Sequence, residues 1–435
     1  MSKTTPGEGA AIPAQRCAIT TEWKTDLLEK GELMPVIEKV TNSLSGIMDL
    51  PGIGEDGVYN IEVSRNIQNQ LISSLDPSIP EHARILRYME MPDLTRDDNS
   101  ILKLIIDNIT NLEVFSGFDH IRTPEIVPAF GTFDLFNFPE NHPARTKSDT
   151  YYVDENYILK THTTIMWYYY FSNPLIRQKL SNEGSVKAIS YGKVYRKDEI
   201  DSKHHPVFHQ IDGLYLIEKD KKIIDRTDLE KVLIDVAKEV FGDVEYRINN
   251  ESYPYTDPSL EMEVKFGDNW LEILGGGIVS PQVLENHGID SSKYNGWAFG
   301  FGVERLAMIK KGIPDIRSFW SKDERYLKQW GDLETKFNPV SKYPSTERDI
   351  SFVIDKSESV NNYFEIVRDE AGELIEEVKM IDKYENEKKF GADRISYTFR
   401  MTYRSSEKTL TNEEVNEIQE RIRNRTQSDF NAVLR

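Results

Sequence analysis

Apolar residues recur at three- and four-residue intervals between residues 100 and 115, which predicts a helix with one buried face. Asp98 stands just before this segment and is expected to cap the helix. Residues 117–125 follow, where Gly117 is expected to end the helix and the next residues to form a strand. The apolar positions on the predicted face are Ile101, Leu104, Ile105, Ile109 and Leu112.

Between residues 150 and 305, strand-like segments are interspersed with helical stretches predicted near 165–181 and 224–241. There is no regular strand–helix–strand alternation of the kind that builds a doubly wound parallel sheet. The pattern therefore predicts the α+β class, with a mainly antiparallel sheet flanked by helices. The predicted strands include residues 149–153, 188–191 and 261–266.

The C-terminal segment has its own pattern of strand, helix, strand, strand and helix. This is the element order of a ferredoxin-like α/β sandwich. Its strands are predicted at residues 348–354, 376–384 and 394–403, and its helices at 359–373 and 411–427.

The 435-residue chain is acidic, with a formal net charge of −19. Such a charge does not favour nucleic-acid binding, although a local basic face can coexist with an acidic total. The segment from residue 341 onward has 16 Lys and Arg against 20 Asp and Glu. Candidate basic stripes, with a solvated charged face as the alternative, are Arg394, Arg400 and Arg404 in a strand and Arg421, Arg423 and Arg425 in a helix.

A single cysteine, Cys17, rules out an internal disulfide framework. No apolar run approaches the roughly 18 residues that a membrane helix needs. Residues 1–17 are rich in Gly, Pro, Thr and Ala, so we expect them to be disordered. Lys3 and Arg16 are the basic residues of this segment, which therefore lacks the Arg-rich composition of a transit peptide.

Two arginines lie far apart in sequence, each in an otherwise apolar setting. Arg196 is in the strand-like segment 192–199, and Arg305 follows Gly300 and Gly302 at the start of a predicted helix. A guanidinium binds phosphate or carboxylate through two hydrogen bonds and does not deprotonate. Glycines admit a close backbone approach, and a helix N-terminus favours anions. Two such arginines can clamp a triphosphate from both ends.

These segments, with residues 208–213 and 296–308, resemble motifs 2 and 3 of class II aminoacyl-tRNA synthetases. Residues 117–125 resemble motif 1. The residues within these motifs are similar to those of phenylalanyl-tRNA synthetases of the single-chain, mitochondrial type. The resemblance implies a catalytic domain at residues 95–322, a linker at 323–339 and a ferredoxin-fold anticodon-binding domain at 340–435. Before these, we expect a disordered segment at residues 1–17 and a helical extension of unassigned role at 18–94.

By this resemblance Arg196 would bind the α-phosphate of ATP and the substrate carboxylate, and Arg305 would bind the γ-phosphate. Glu272 would hold Mg²⁺–ATP, or else be a strand-end carboxylate paired with a lysine. Taken alone, Arg196 favours a strand-face salt bridge with Asp198 or Glu199, and the phosphate-binding role depends on the downstream residues 208–210 and on Glu304 and Arg305. The implied catalytic residues are Arg196, Glu304 and Arg305; the implied ATP-binding residues are Arg196, Glu199, His204, Phe208, Glu272 and Arg305.

The implied amino-acid pocket departs from the family pattern. Asp212 replaces a glutamate that holds the substrate's ammonium, and the shorter arm favours a water-mediated contact. Tyr253 and Tyr255 replace two phenylalanines whose rings grip the substrate ring edge-to-face. Thr164 replaces a serine, and Trp167 replaces a polar residue. The implied amino-acid-binding residues are His162, Thr164, Gln210, Asp212, Tyr253, Tyr255 and Ala298.

The resemblance implies a ligase that uses ATP and Mg²⁺ to form phenylalanyl-adenylate and transfers the acyl group to tRNA(Phe). The six C-terminal arginines would contact tRNA, and the C-terminal domain would have no part in the first step. Two alternatives stay open: another aromatic amino acid, or a synthetase-like protein that does not charge tRNA. A monomer is expected, in the mitochondrial matrix by resemblance or in the cytoplasm. Zinc is not expected, because the spacing of Asp201, His204, His205 and His209 matches no familiar zinc site.

Overall fold

The computed structural model describes residues 58–338, 343–405 and 407–435, together with the backbone of residues 52–53. The expectations for residues 1–17 and for most of 18–57 lie outside the described residues. In the part of the chain that is described, no helix is both long enough and apolar enough to cross a membrane.

The described elements fall into a large sheet, a smaller C-terminal sheet and a short two-stranded pair, with helices packed around them. Strands β1 to β15 are Gly52–Ile53, Tyr59–Glu62, Asp119–Arg122, Ile126–Pro128, Tyr157–Leu159, Ser185–Tyr195, Val207–Glu218, Tyr246–Tyr253, Thr256–Phe266, Asn269–Val279, Tyr294–Gly302, Thr346–Asp355, Ile375–Tyr384, Arg394–Tyr403 and Val433–Leu434. Helices α1 to α13 are Asn66–Ser74, Pro80–Glu90, Ile101–Thr110, Ala129–Phe133, Met166–Ser172, Pro174–Glu183, Arg226–Phe241, Pro281–Asn286, Val303–Lys311, Glu324–Leu327, Val360–Ala371, Glu387–Phe390 and Asn412–Asp429.

The main sheet contains nine of the described strands, in the order β1-β2-β3-β6-β7-β11-β10-β9-β8. The β2–β3 and β3–β6 pairs are parallel, and the other pairs are antiparallel. One face packs against α3, α7 and α9, and the opposite face packs against α5 and α6. These contacts confirm the predicted α+β class with a mainly antiparallel sheet.

Two predicted helices have different ends from those expected. Ser100, not Asp98, caps α3, because its hydroxyl accepts from the backbone N–H of Leu102. The segment predicted as one helix at 165–181 is divided between α5 and α6 by Asn173. Proline at the first position of α6 cannot donate to the preceding turn, so the chain starts a new helix there.

The N-terminal extension is not wholly helical. Strand β2 joins the main sheet in parallel with β3, and its Ile61 is buried. Helix α2 packs into the same domain through Ile85 and Tyr88. The described part of the extension therefore packs with the main sheet and does not form a separate helical unit before it. At the other end, part of the predicted linker is also packed, because Trp330, Leu333 and Phe337 are buried in the core of the main sheet.

The C-terminal sheet has the order β13-β14-β12-β15 in the described residues. Helices α11 and α13 pack together and against one face of this sheet, through a shared apolar cluster. The predicted ferredoxin-like order is confirmed, with bounds that differ by one or two residues. The short strand β15 was not predicted, because two residues carry too little pattern to recognise.

Candidate active site

The candidate site lies on the main sheet where β6, β7 and β11 meet α9. Alternate residues of a strand face opposite sides of a sheet. Phe208, Gln210 and Asp212 therefore share one face of β7, while His209 and Ile211 lie on the buried opposite face. Strand β11 runs beside β7 and ends with Gly302 paired to Gln210, so the first turn of α9 begins next to these side chains.

Arg196 directly follows β6 and faces the ring of Phe208, with Cζ 5.2 Å from the ring centroid. Its Nε donates to the carbonyl oxygen of Thr161 at 3.1 Å. Arg196 is exposed as a residue, but the surrounding protein partly desolvates its guanidinium. This desolvation lowers the pKa of Arg196 from the ordinary value. Asp212 opposes this shift and Arg305 adds to it, which shows that both groups lie within electrostatic reach.

Arg305 is half exposed on the first turn of α9. Its Nη1 lies 3.0 Å from Oε2 of Glu272 on β10 and 3.4 Å from the backbone oxygen of the same residue. The partner of Glu272 is therefore this arginine and not a lysine. The two arginines expected at opposite ends of a triphosphate do face a common region of the structure.

Glu304 does not point into this region. It is buried, and both carboxylate oxygens contact His209 on the opposite face of β7. A direct catalytic role was expected for Glu304, but its position places it behind the site, where it cannot touch a substrate bound between the arginines.

Asp212 is buried and accepts hydrogen bonds from two threonines that precede α5. Thr164 Oγ1 donates to Oδ1 at 2.6 Å, and Thr163 Oγ1 donates to Oδ2. Gly300 is paired with Asp212 across β7 and β11, and a Cβ at Gly300 would lie 2.7 Å from Oδ1. The sequence analysis did not assign Thr163 to the site, although this residue stands between His162 and Thr164, which were assigned.

Burial raises the pKa of Asp212 to about 6, against the opposing effects of Thr163, Thr164 and Arg196. Below that pH the carboxyl becomes neutral and loses its attraction for an ammonium group. We expect the KM for the amino acid to rise as pH falls below 6, by about tenfold for each pH unit. The measurement is the KM at pH 5, 6, 7 and 8 for the native chain and for Asp212→Asn. A pH-independent KM in the native chain would contradict the assignment, and Asp212→Asn should remove the dependence.

The aromatic residues expected to hold a substrate ring lie beside Asp212. Tyr253 and Tyr255 stack in parallel, with ring centroids 5.6 Å apart. Tyr255 also meets Phe136 edge-on at 6.2 Å and Phe138 at 6.0 Å, two neighbours that the sequence did not indicate. The hydroxyl of Tyr253 lies over Gly275, where a Cβ would approach it to 2.8 Å. Glycine there leaves room for the hydroxyl that this chain adds.

Three further predicted residues surround the same region. His162 stacks on Phe138 at 6.2 Å, and burial lowers its pKa to about 3, so the ring is neutral at physiological pH. The buried Oε1 of Gln210 has no hydrogen-bond partner among the described residues. Ala298 is buried in the same apolar cluster as Trp167, whose ring packs against Phe136. Trp167, which stands where the family pattern has a polar residue, therefore packs in the apolar core behind the pocket.

Residues 198–206 form a loop that returns to β7. His204 Nδ1 lies 2.9 Å from Asp201 Oδ2, and this hydrogen bond raises the pKa of His204. Trp320 stacks on both His205 and His209, at centroid distances of 5.5 and 5.4 Å. His204 therefore pairs with Asp201, while His205 and His209 both pack on Trp320, and the described residues contain no cluster of three or more potential metal ligands.

The C-terminal domain contacts this loop directly. Arg368 on α11 donates to the carbonyl oxygens of Asp198 and Glu199, the latter at 2.9 Å. The backbone N–H of Val378 on β13 donates to the carbonyl oxygen of Ile200 at 2.8 Å, and Ile200 is buried in the C-terminal core. The expectation that this domain has no part in the first step is at odds with these contacts.

Replacing Arg368 by alanine should therefore destabilise the chain and loosen the loop. Arg368 is buried beside Glu365, and removal of one partner from a buried ion pair costs about 3 kcal/mol. Urea unfolding would measure the loss. Arg423→Ala is the matched control, because this partly exposed arginine meets only Glu420 among the described residues, at 3.9 Å, and should change the stability by about 0.5 kcal/mol or less. Equal stabilities of the two variants would contradict the docking role.

The six C-terminal arginines lie in two separate groups. Arg394, Arg400 and Arg404 lie on the sheet face away from α11 and α13, whereas Arg421 and Arg425 bond acidic residues of α11 within the helical layer. Most of the six are already paired with carboxylates. These pairs are Arg400 with Asp349, Arg404 with Glu376, Arg421 with Glu370, Arg425 with Asp369, and Arg423 with Glu420.

Comparison with known protein families assigns both parts of the chain. Residues 88–330 match the family of class II tRNA synthetase core domains of the F type, and residues 341–435 match the ferredoxin-fold anticodon binding domain. The chain belongs to the class II tRNA synthetase family. The matched core begins at residue 88, in the last turn of α2.

Relatives of this synthetase include a phenylalanine–tRNA ligase, chloroplastic/mitochondrial, from Arabidopsis thaliana, 43% identical over 267 residues. A probable mitochondrial phenylalanine–tRNA ligase from Drosophila melanogaster is 34% identical and aligns over 64% of this chain and 70% of the relative. A phenylalanine–tRNA ligase alpha subunit from Prochlorococcus marinus subsp. pastoris is 36% identical over 69% of this chain and 87% of the relative. The Arabidopsis alignment covers 59% of this chain and 61% of the relative, so the chain spans less than two thirds of that protein.

Proposed function

We propose that this synthetase is a phenylalanine–tRNA ligase, which activates phenylalanine with ATP and transfers it to tRNA(Phe). The observation that carries the proposal is the placement of Arg196 and Arg305 around the side chains of β7. The pairing of Gly302 with Gln210 brings the helix of Arg305 to the strand that Arg196 faces. The names of the relatives supply the amino acid.

In the first step, the phenylalanine carboxylate attacks the α-phosphate of ATP, and pyrophosphate leaves. Such a step needs positioning and charge compensation more than an acid or a base. Arg196 would hold the carboxylate and the α-phosphate together, and the flat ring of Phe208 beneath it offers a surface for adenine. Arg305 would exchange Glu272 for the γ-phosphate. His204, with its raised pKa, and Glu199 complete the loop over the nucleotide.

The residues beside Arg305 suit Mg²⁺, which binds through oxygen atoms. Burial and the nearby Glu272 raise the pKa of Glu261, as happens when two carboxylates share a site without a cation between them. Glu272, together with Glu261, would hold the ion. Bound there, Mg²⁺ would offset the charge of the phosphates.

The amino-acid pocket would read both ends of phenylalanine. The ammonium group would meet Asp212 and the unpartnered Oε1 of Gln210, while Thr163 and Thr164 keep the Asp212 carboxylate oriented. Both oxygens of Asp212 already accept from these threonines, and the remaining lone pairs can still accept from the substrate or a bridging water. The substrate ring would lie against the tyrosine pair at Tyr253 and Tyr255, over Ala298.

The anticodon end of tRNA would bind the open sheet face of the C-terminal domain. The double variant Arg394→Ala/Arg400→Ala should lower kcat/KM for tRNA by about tenfold and reduce the dependence on salt, while pyrophosphate exchange stays normal. Arg421→Ala, in the helical layer, is the matched control and should leave the KM for tRNA unchanged. A loss confined to the control would place tRNA on the helices instead.

We further propose that the enzyme is a monomer, because one chain carries both the synthetase core and the anticodon-binding domain. We also propose that it acts in mitochondria, the compartment printed in the names of several relatives. The cytoplasm is the alternative. Sedimentation should give the mass of one chain, and a stable dimer would contradict the first proposal. A fluorescent fusion of the full chain should co-localise with mitochondria, and diffuse fluorescence would contradict the second.

The test of the proposed function is ATP–pyrophosphate exchange with each of the twenty amino acids. Phenylalanine should give the highest kcat/KM. The second candidate is an enzyme for another aromatic amino acid, which the two added hydroxyls of Tyr253 and Tyr255 favour. Faster exchange with tyrosine or tryptophan would support that candidate, and exchange with none would favour a protein that does not activate amino acids.

A further inference from the structure

A glutamate and a histidine are buried together behind the candidate site. Glu304 is 2% exposed and His209 is fully buried. Oε2 of Glu304 accepts from the backbone N–H of His209 at 2.9 Å, and Oε1 lies 2.6 Å from the ring nitrogen Nδ1. A single residue of β7 therefore engages both oxygens of the carboxylate.

The other ring nitrogen fixes the protonation state of this histidine. Nε2 accepts from the backbone N–H of Leu94 at 3.0 Å, and a nitrogen that accepts carries no proton. The ring is therefore the neutral form with its proton on Nδ1, which donates to Glu304. Each polar atom of the two side chains has a partner, as a buried polar group requires.

The two residues stand next to the functional side chains on both elements. Glu304 precedes Arg305 on α9, and His209 lies between Phe208 and Gln210 on β7. The ladder between β7 and β11 ends at the pair of Gln210 and Gly302. At the next residue of β7, the backbone N–H of His209 donates to the carboxylate of Glu304. A side chain thus accepts the hydrogen bond at the position where the β7–β11 ladder ends.

We propose that Glu304 and His209 are a positioning pair that sets the place of Arg305 relative to Arg196, an inference that rests on the proposed function. A charge is costly to bury, and an ordinary apolar contact would pack α9 against the sheet without fixing its position along the strand. The two hydrogen bonds from one residue fix both the distance and the rotation of the first helical turn. A shift of about 1 Å between groups that hold a reacting ligand can cost about a hundredfold in rate.

Glu304→Gln tests this pair in the full chain. Glutamine has the size and shape of glutamate, but its NH₂ group cannot accept a hydrogen bond. In this variant one of the two N–H donors of His209 would therefore lose its acceptor. The tautomer cannot reverse, because Leu94 already donates to Nε2. We expect the affinity for Mg²⁺–ATP, measured by calorimetry, to fall by about tenfold or more, with a similar loss of kcat for exchange.

Asp119→Asn is the matched control. Asp119 is fully buried on β3, in the same sheet but away from the arginines, and it holds Lys179 and the hydroxyl of Tyr170. Asp119→Asn should lower the melting temperature as much as Glu304→Gln does, yet leave the affinity for Mg²⁺–ATP within about twofold. Equal ATP affinities of the two variants, at equal folded fractions, would overturn the proposal.

Glu304→Asp guards against a variant that does not fold. Its shorter carboxylate keeps the charge but reaches only one of the two N–H groups, so we expect an ATP affinity between those of the native chain and Glu304→Gln. An affinity equal to that of the native chain would also overturn the proposal. Because ATP binding needs no amino acid, a native chain that binds ATP without activating phenylalanine would defeat the proposed function alone.

Discussion

Arg196→Ala should lower the rate of ATP–pyrophosphate exchange by about two to four decades while the fold survives. Loss of a bidentate charge contact costs about 3–5 kcal/mol, and each 1.4 kcal/mol is about a factor of ten. The fold should persist, because Arg196 is exposed and, among the described residues, its guanidinium donates one hydrogen bond, from Nε to the carbonyl oxygen of Thr161. Single-turnover formation of the adenylate would measure the loss without interference from product release.

Arg247→Ala is the control for this variant. Arg247 also packs on an aromatic ring, with Cζ 4.5 Å from the centroid of Trp270, and it pairs with Glu263 on the same sheet. It lies on the edge strand β8, away from the candidate site, so its loss should change exchange by about twofold or less. Near-normal exchange by Arg196→Ala, or equal losses in both variants, would contradict the assignment of motif 2.

Arg305→Ala should lower kcat/KM for ATP by about two decades or more, since its partner in the catalytic step is the γ-phosphate. The loss should appear chiefly in the use of ATP and only weakly in the KM for phenylalanine. Glu272→Gln should have the smaller effect on kcat/KM for ATP, because it removes one of the two carboxylates proposed to hold Mg²⁺ but leaves Arg305, its partner at 3.0 Å, in place.

Arg226→Ala is the matched control for Arg305→Ala. Arg226 occupies the first turn of α7 and pairs with Glu230, and its side chain is 37% exposed, compared with 50% for Arg305. Its removal should leave the kinetics with ATP unchanged. A KM for phenylalanine that rises as much as the KM for ATP in Arg305→Ala would show that this arginine supports the pocket as a whole.

The residues that a sequence can indicate are those whose chemistry is local. Arg196 and Arg305 stand out because each lies in an apolar setting with a strand or a helix start of its own. The C-terminal sandwich is also predictable from the sequence, since β14 has clear apolar alternation and the side chains of Thr411 and Glu414 form a capping box at the start of α13.

Contacts between residues distant in sequence could not be predicted in this way. The bond of Thr163 to Asp212 and the docking of Arg368 on residues 198–199 join segments that no periodicity connects. Glu304 was misassigned for the same reason: its neighbour Arg305 faces the site, but helical geometry turns adjacent residues to different sides. Strand β2 was missed because four residues carry little alternation.

The most direct test of the proposed function is the charging of tRNA(Phe) in a mixture of equal concentrations of phenylalanine and tyrosine. A pocket built for an apolar ring rejects an added hydroxyl only by roughly a hundredfold, and the hydroxyl of Tyr253 is already accommodated over Gly275. Phenylalanyl-tRNA should therefore exceed tyrosyl-tRNA by about two decades. Equal or greater formation of tyrosyl-tRNA, or no charging at all, would contradict the proposed function.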